Sequence, residues 1–261
     1  MLPPETAAGA ETRGRQPGDG ARFRGTVLIG AASAVVLSWA YLLWMDWGMR
    51  HMDRGKDMVL MPKMQGWGAV DLILVFLMWT LMMAAMMLPS AMPGILLYGR
   101  TRGHPGAFAA GYLLVWFAFS AFATLLQWGL LRAALVTPMM VSASPALSAA
   151  ILIAAGLFQL TPLKDACLTR CRSPLGAVLG GTARRSNPLG DGLRNGLDCL
   201  GCCFALMCVL FAVGVMSLPW VFLIAAYVAL EKLAPRVAWL PRSAGVVLCL
   251  WGAFLLFGAR A

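Results

Sequence analysis

Histidine occurs only at His51 and His104, and both lie outside the apolar runs. That scarcity excludes a pair of haem-ligating histidines within a membrane and a histidine-rich zinc channel. Charge is scarce as well. Asp, Glu, Lys and Arg make up 12% of the chain, where a soluble domain has about 25%. There is no Walker motif and no G-x-S-x-G, so neither a P-loop nucleotide site nor a serine-hydrolase elbow is present. These absences weigh against an enzyme and leave open only a thiol-based one. Paired, scattered cysteines are missing too: the seven cysteines are an odd number, and Cys167, Cys171, Cys199, Cys202 and Cys203 share one window of 37 residues. That usage is not a secreted disulfide framework.

The rest of the composition is apolar. Hydrophobic residues make up 60%, and the mean hydropathy is +0.76, so most of the chain belongs in lipid. Residues 1–22 are rich in Gly, Pro, Ala and charge without an apolar period and read as a disordered cytoplasmic tail. Residues 23–261 read as one transmembrane helical domain. Its apolar runs cover about 25–44, 69–88, 107–131, 146–163, 197–216, 219–230 and 244–257. Most approach the ~20 residues that a bilayer core needs. The sixth is short, and Ser217-Leu218-Pro219 before it is either a tight turn or a kink in one long helix.

Charge arbitrates between those two. With seven spans and the N-terminus inside, fifteen of the 21 basic residues fall on inner segments and six on outer ones, as the positive-inside rule requires. Merging the fifth and sixth runs reduces the asymmetry to twelve against nine. The sequence therefore predicts an all-α polytopic membrane protein, a bundle of about seven transmembrane helices with a cytoplasmic N-terminus. The net charge of +10 belongs to this flanking pattern, and no nucleic-acid motif competes for it. The first run is of full spanning length with no cleavage site after it, so it reads as an uncleaved span.

In this topology the sulfur-bearing residues form three stations. The outer segment after the first run holds His51, Met58, Met61 and Met64. A thioether needs no deprotonation and suits Cu(I) among metals, although Met beside Trp44, Trp47 and Trp67 also fits a hydrophobic dip into the interface. In the second run Asp71, Met78, Met82 and Met86 share a helical stripe, with Met83 and Met87 as an i, i+4 pair beside it. Pro89 and Pro93 follow and are expected to break the helix. At the inner ends of the fourth and fifth runs stand Cys167 and Cys171, one turn apart, and Cys199, Cys202 and Cys203, with Met207 one turn further. The pattern C-x3-C…C-x2-C can close a four-thiolate site for zinc or Cu(I), with Cys203 as an alternative ligand. Lys164 favours thiolate over thiol nearby, and Asp198 is placed to support or cap the ligands. Cys249 reads as an apolar filler, and Glu231-Lys232 as a solvated interfacial pair.

These residues also carry a resemblance. Met82-Met83-Ala84-Ala85-Met86-Met87-Leu88-Pro89-Ser90, Pro162-Leu163-Lys164 with Cys167, Cys171-Arg172-Ser173-Pro174 and Asn195-Gly196-Leu197-Asp198-Cys199-Leu200-Gly201-Cys202-Cys203 occur in order. Leu206-Met207, Gly214-Val215-Met216 and Glu231-Lys232 follow. Over about residues 65–255 the chain resembles an uncharacterised bacterial family of predicted metal-binding integral membrane proteins. The resemblance implies metal binding and a multi-pass place in the inner (cytoplasmic) membrane, and names no metal. The paired methionines are also similar to the Met-x-x-x-Met feature of eukaryotic copper transporters, on a different architecture.

Three functions follow as expectations. The first is binding and handling or transport of a soft metal, copper(I) ahead of zinc, with a metal chaperone or metalloenzyme assembly partner besides membrane lipid. The second is a structural zinc site in a membrane scaffold. The third is a transmembrane thiol–disulfide oxidoreductase, which lacks a cysteine pair on the outer side to complete its relay.

Overall fold

The computed structural model describes residues 17–50, 67–135, 144–172, 187–234 and 239–258, with side chains in the first helix from residue 25 to 48. The described residues form helices α1 (Pro17–Arg50), α2 (Ala69–Thr101), α3 (Pro105–Arg132) and α4 (Pro145–Gln159), followed by α5 (Pro162–Arg172), α6 (Pro188–Val213), α7 (Leu218–Leu233) and α8 (Leu240–Gly258), with no strand among them. The outer-segment residues His51, Met58, Met61 and Met64 lie outside the described residues, as do residues 1–16 of the expected tail.

Five helical segments are long and apolar enough to cross a membrane: Gly25–Gly48, Ala69–Thr101, Pro105–Arg132, Pro188–Val213 and Leu240–Gly258. A sixth span arises if α4 and α5, bent by 65° at their junction, are taken as one. Large apolar side chains such as Ile29, Val36, Leu37, Phe222, Phe254 and Phe257 point outward, the side a bilayer would cover. The inside holds Met, Cys, Ser, Lys and Glu.

Helix starts follow from local chemistry. Pro stands at or next to the first position of α3, α4, α6 and α7, where its missing N–H costs nothing. Ser144 accepts from the Ala146 N–H at 3.2 Å and Asn187 accepts from the Leu189 N–H at 3.1 Å, capping α4 and α6. Asp71 is buried in the first turn of α2 and accepts from the Gly68 N–H at 2.9 Å. Thr161 separates α4 from α5, its hydroxyl donating to the Phe158 carbonyl at 2.7 Å and accepting from the Lys164 N–H at 3.3 Å.

One expectation is corrected here. Pro89 and Pro93 do not end α2, which continues to Thr101. Around the prolines the hydroxyls of Ser90, at 3.0 Å, and of Tyr112 in α3, at 3.5 Å, both donate to the Met87 carbonyl. A long helix tolerates an internal proline where neighbouring helices pack against it. The turn before α7 is sharp: α6 ends at Gly214, whose φ of 101° requires glycine, and the chain restarts at Leu218.

The crossing of α3 and α6 sets the position of the site. A β-carbon on Gly111 would run into the Leu189 carbonyl, and one on Gly192 into the Phe108 carbonyl. Backbones approach this closely only through residues without side chains. Tyr112, next to Gly111, is thereby brought onto Cys199 two turns along α6 from Gly192.

Candidate metal centre

α6 turns Cys199, Cys202, Cys203 and Met207 into the bundle, each at most 1% exposed. α2 faces them with Met78, Met82, Met83, Met86 and Met87, each at most 2% exposed. α5, redirected by the 65° bend, brings the Cys171 thiol beside Cys199 and Cys202. Cys167 is half-buried on the same helix, its sulfur lying against Gly201. Cys208 and Cys249 stand apart; Cys249 donates to the Ile153 carbonyl at 3.8 Å.

The centre of this cluster is occupied by an amine. Lys232, on α7, donates to the Cys199 Sγ at 2.9 Å, to the Ser90 Oγ at 3.2 Å and to the Met87 Sδ at 3.7 Å. Tyr112 Oη is a further 3.0 Å neighbour of the Cys199 Sγ. The Cys202 and Cys203 thiols turn back onto the Cys199 carbonyl at 3.1 and 2.8 Å. In this arrangement no three His, Cys, Asp or Glu side chains among the described residues stand ready around one metal position. The thiols of Cys171, Cys202 and Cys203 nonetheless stand within hydrogen-bond reach of Cys199.

A second buried cation stands behind the thiols. Lys164 is fully buried and donates to the Cys202 carbonyl at 2.6 Å and to Glu231 Oε2 at 2.9 Å. Tyr227 donates to Glu231 Oε1 at 3.4 Å, and Arg172 grips the Glu231 carbonyl through Nε and Nη2 at 2.9 and 2.6 Å. Sequence reading placed Glu231 and Lys232 in solvent; they are 0% and 8% exposed. Adjacent helical positions point about 100° apart, so the two side chains of one dipeptide serve two partners, Lys164 and Cys199. Asp198 lies on the Cys167 side of the cluster, half-buried and 3.9 Å from Arg170. Tyr112 and Ser90 were likewise not singled out, since a lone hydroxyl on an apolar helix carries no signal until its partner is known. A cavity of about 230 Å3 opens onto this centre, with Ser90, Tyr112, Cys171, Arg172, Asn195 and Lys232 in its wall.

A buried set of thiols and thioethers accompanied by fixed cations has the donor chemistry of a soft-metal centre. A family model described as PpoB2, copper chaperone, matches residues 76–255. The chain belongs to the PpoB2 copper chaperone family. As a PpoB2 family member it is a copper-related protein, in keeping with the metal-related resemblance of its sequence. The matched region contains the sulfur residues of α2, α5 and α6 together with Lys164, Glu231 and Lys232, and it excludes α1. No curated protein and no solved structure matches the chain.

Proposed function

We propose that this chain is a copper(I) carrier of the bacterial inner membrane. It crosses the bilayer seven times with its N-terminus in the cytoplasm, the bent α4–α5 pair and the short α7 each counting as a span. Met78, Met82, Met83, Met86, Met87 and Met207 form the thioether track through the bundle. Cys167, Cys171, Cys199, Cys202 and Cys203 form the cytoplasmic receiving set, with Lys164 and Asp198 supporting it. Asp71 anchors the outer start of α2, and His51, Met58, Met61 and Met64 collect the ion outside. Lipid surrounds the bundle, and the copper passes to a second copper carrier or to a copper enzyme under assembly.

The observation that carries this reading is the meeting of α2, α5, α6 and α7 at one buried point, where Met87, Cys171, Cys199 and the Lys232 ammonium come together. A cation already stands among sulfur donors there. Thioethers and thiols favour Cu(I) over hard cations, and the family points to the same metal.

Elemental analysis of purified protein tests it. Wild type carries copper, and the variant with Cys167, Cys171, Cys199 and Cys202 changed to Ser loses the share of it held at the thiols. Stoichiometric zinc in wild type, with loss of folding in the variant, would replace this reading by a structural zinc scaffold. Thiols that cycle to disulfides in cells would favour the oxidoreductase.

A further inference from the structure

We infer a second soft-cation site, built of thioethers, at the far end of the sulfur-rich core from the cysteines. A cavity of about 10 Å3 lies between α1, α2 and the turn joining α6 to α7, with Met45, Met78, Met82, Met216 and Asp46 in its wall. That volume is close to one water-sized sphere, enough for a single desolvated ion. Met45, Met78 and Met82 are 3%, 2% and 1% exposed.

The four sulfur-bearing side chains reach this point by separate routes. Met78 and Met82 lie one turn apart on α2 and share its inner face. Met45 comes from the end of α1, which packs along α2. Met216 comes from the turn that Gly214 makes possible, closed by the Ser217 N–H donating to the Gly214 carbonyl at 3.1 Å. Core packing alone needs methionine at none of these positions; leucine fills such space with less loss of rotamer freedom. Leu42, Val215, Leu218 and Val221 complete the wall.

The chemistry selects the ligand. Thioethers are neutral and soft, so a ligand set of this kind takes a d10 monovalent ion, Cu(I) or Ag(I), and discriminates against Mg2+, Ca2+ and Zn2+. Met45 and Asp46 lie outside the family-matched residues 76–255, so one of the four thioethers comes from α1. Along α2, Met78 and Met87 are separated by roughly 14 Å at 1.5 Å per residue, so the two centres are distinct. As a loading station for the carrier, the site rests on the proposed copper reading; as a soft-cation site it stands on its own residues.

Anaerobic titration of the full-length chain in detergent with Cu(I), against a chromophoric chelator, tests the site. Three proteins are compared: wild type, a variant with all five clustered cysteines changed to Ser, and that variant carrying also Met45→Leu and Met216→Leu. Leucine conserves the volume closely enough to keep the packing. We expect two Cu(I) per wild-type chain and one in the Ser variant, bound by sulfur alone in X-ray absorption spectra, with affinity falling at least tenfold when the two leucines are added. Unchanged affinity on adding the leucines, or a folded Ser variant that binds no Cu(I), overturns the site. Equal stoichiometry in wild type and Ser variant instead removes the thiolate station and leaves this site standing. If the Ser variant does not fold, Met45→Leu/Met216→Leu in the otherwise native chain decides: one Cu(I) fewer supports the site, and an unchanged count overturns it.

Discussion

The Lys232 ammonium lies 2.9 Å from the Cys199 sulfur, buried between α2, α6 and α7. The only carboxylate within reach on its own helix, that of neighbouring Glu231, is paired with Lys164. That carboxylate serves Lys164, and the close partners of the Lys232 ammonium are the Cys199 sulfur, the Ser90 hydroxyl and the Met87 sulfur. An isolated buried charge is too costly to keep. A copper(I) ion held by two thiolates carries one net negative charge, which one ammonium offsets.

Changing Lys232 to Met removes that offset while keeping an unbranched side chain one atom shorter. Copper(I) affinity of the cysteine site should fall by at least tenfold, which is about 1.4 kcal/mol. The Cys199 thiol should also react more slowly with a small alkylating reagent, since a neighbouring cation favours the reactive thiolate. Chelator competition and peptide mass spectrometry measure the two effects. Unchanged values would show that the ammonium is only a packing element.

The pair of Lys164 and Glu231 is fully buried and 2.9 Å apart. Either single change, Lys164→Met or Glu231→Gln, strands a charge and should cost about 3–5 kcal/mol of stability. Lys164→Met combined with Glu231→Leu should recover much of that loss. Thermal unfolding in detergent, read by helical circular dichroism, gives the comparison. A double variant no better than the singles would contradict a simple ion pair.

Gly192 on α6 faces the backbone of Phe108 on α3 with no room for a methyl group. Gly192→Ala should push the two helices apart and draw Tyr112 away from Cys199, whose contact is 3.0 Å. We expect a lower unfolding temperature together with weaker copper binding. Tyr112→Phe, which loses only the hydroxyl, should cost about 1 kcal/mol and leave the helix crossing intact. Equal behaviour of the two variants would mean that the crossing does not set the site.

The thioether track makes a separate demand. Replacing Met83, Met86, Met87 and Met207 together by Leu conserves volume and should cost less than about 1.5 kcal/mol of stability per substitution. Copper delivery from one face of a proteoliposome to a chelator on the other should nonetheless fall several-fold. Delivery at the wild-type rate would remove these methionines from the path.

Much of this was legible along the chain. Apolar runs of spanning length, scarce charge and glycine-proline punctuation determine an all-helical chain with helices long and apolar enough to cross a membrane, since backbone in lipid must satisfy its own hydrogen bonds. The 3.6-residue period also placed Met78, Met82 and Met86 on one side of α2, and Cys199, Cys202 and Cys203 on one side of α6, where each set is indeed buried. Periodicity assigns residues to a face of their own helix and stops there.

Which faces meet is decided by helix crossings, and those depend on contacts between residues far apart in sequence. The 65° bend after α4 brings Cys171 to Cys199; the Gly111 and Gly192 approach brings Tyr112 there; the turn at Gly214 returns α7 so that Lys232 enters the thiols and Met216 closes on Met45. Proline offered a break in α2, and the packed helix runs through both prolines to Thr101. Burial of Glu231 and Lys232 followed the same logic: a charged pair at a helix end reads as solvated until a partner lysine and a thiol on other helices supply what water would have given. The donors are written in the sequence, and the tertiary structure decides which of them share a point.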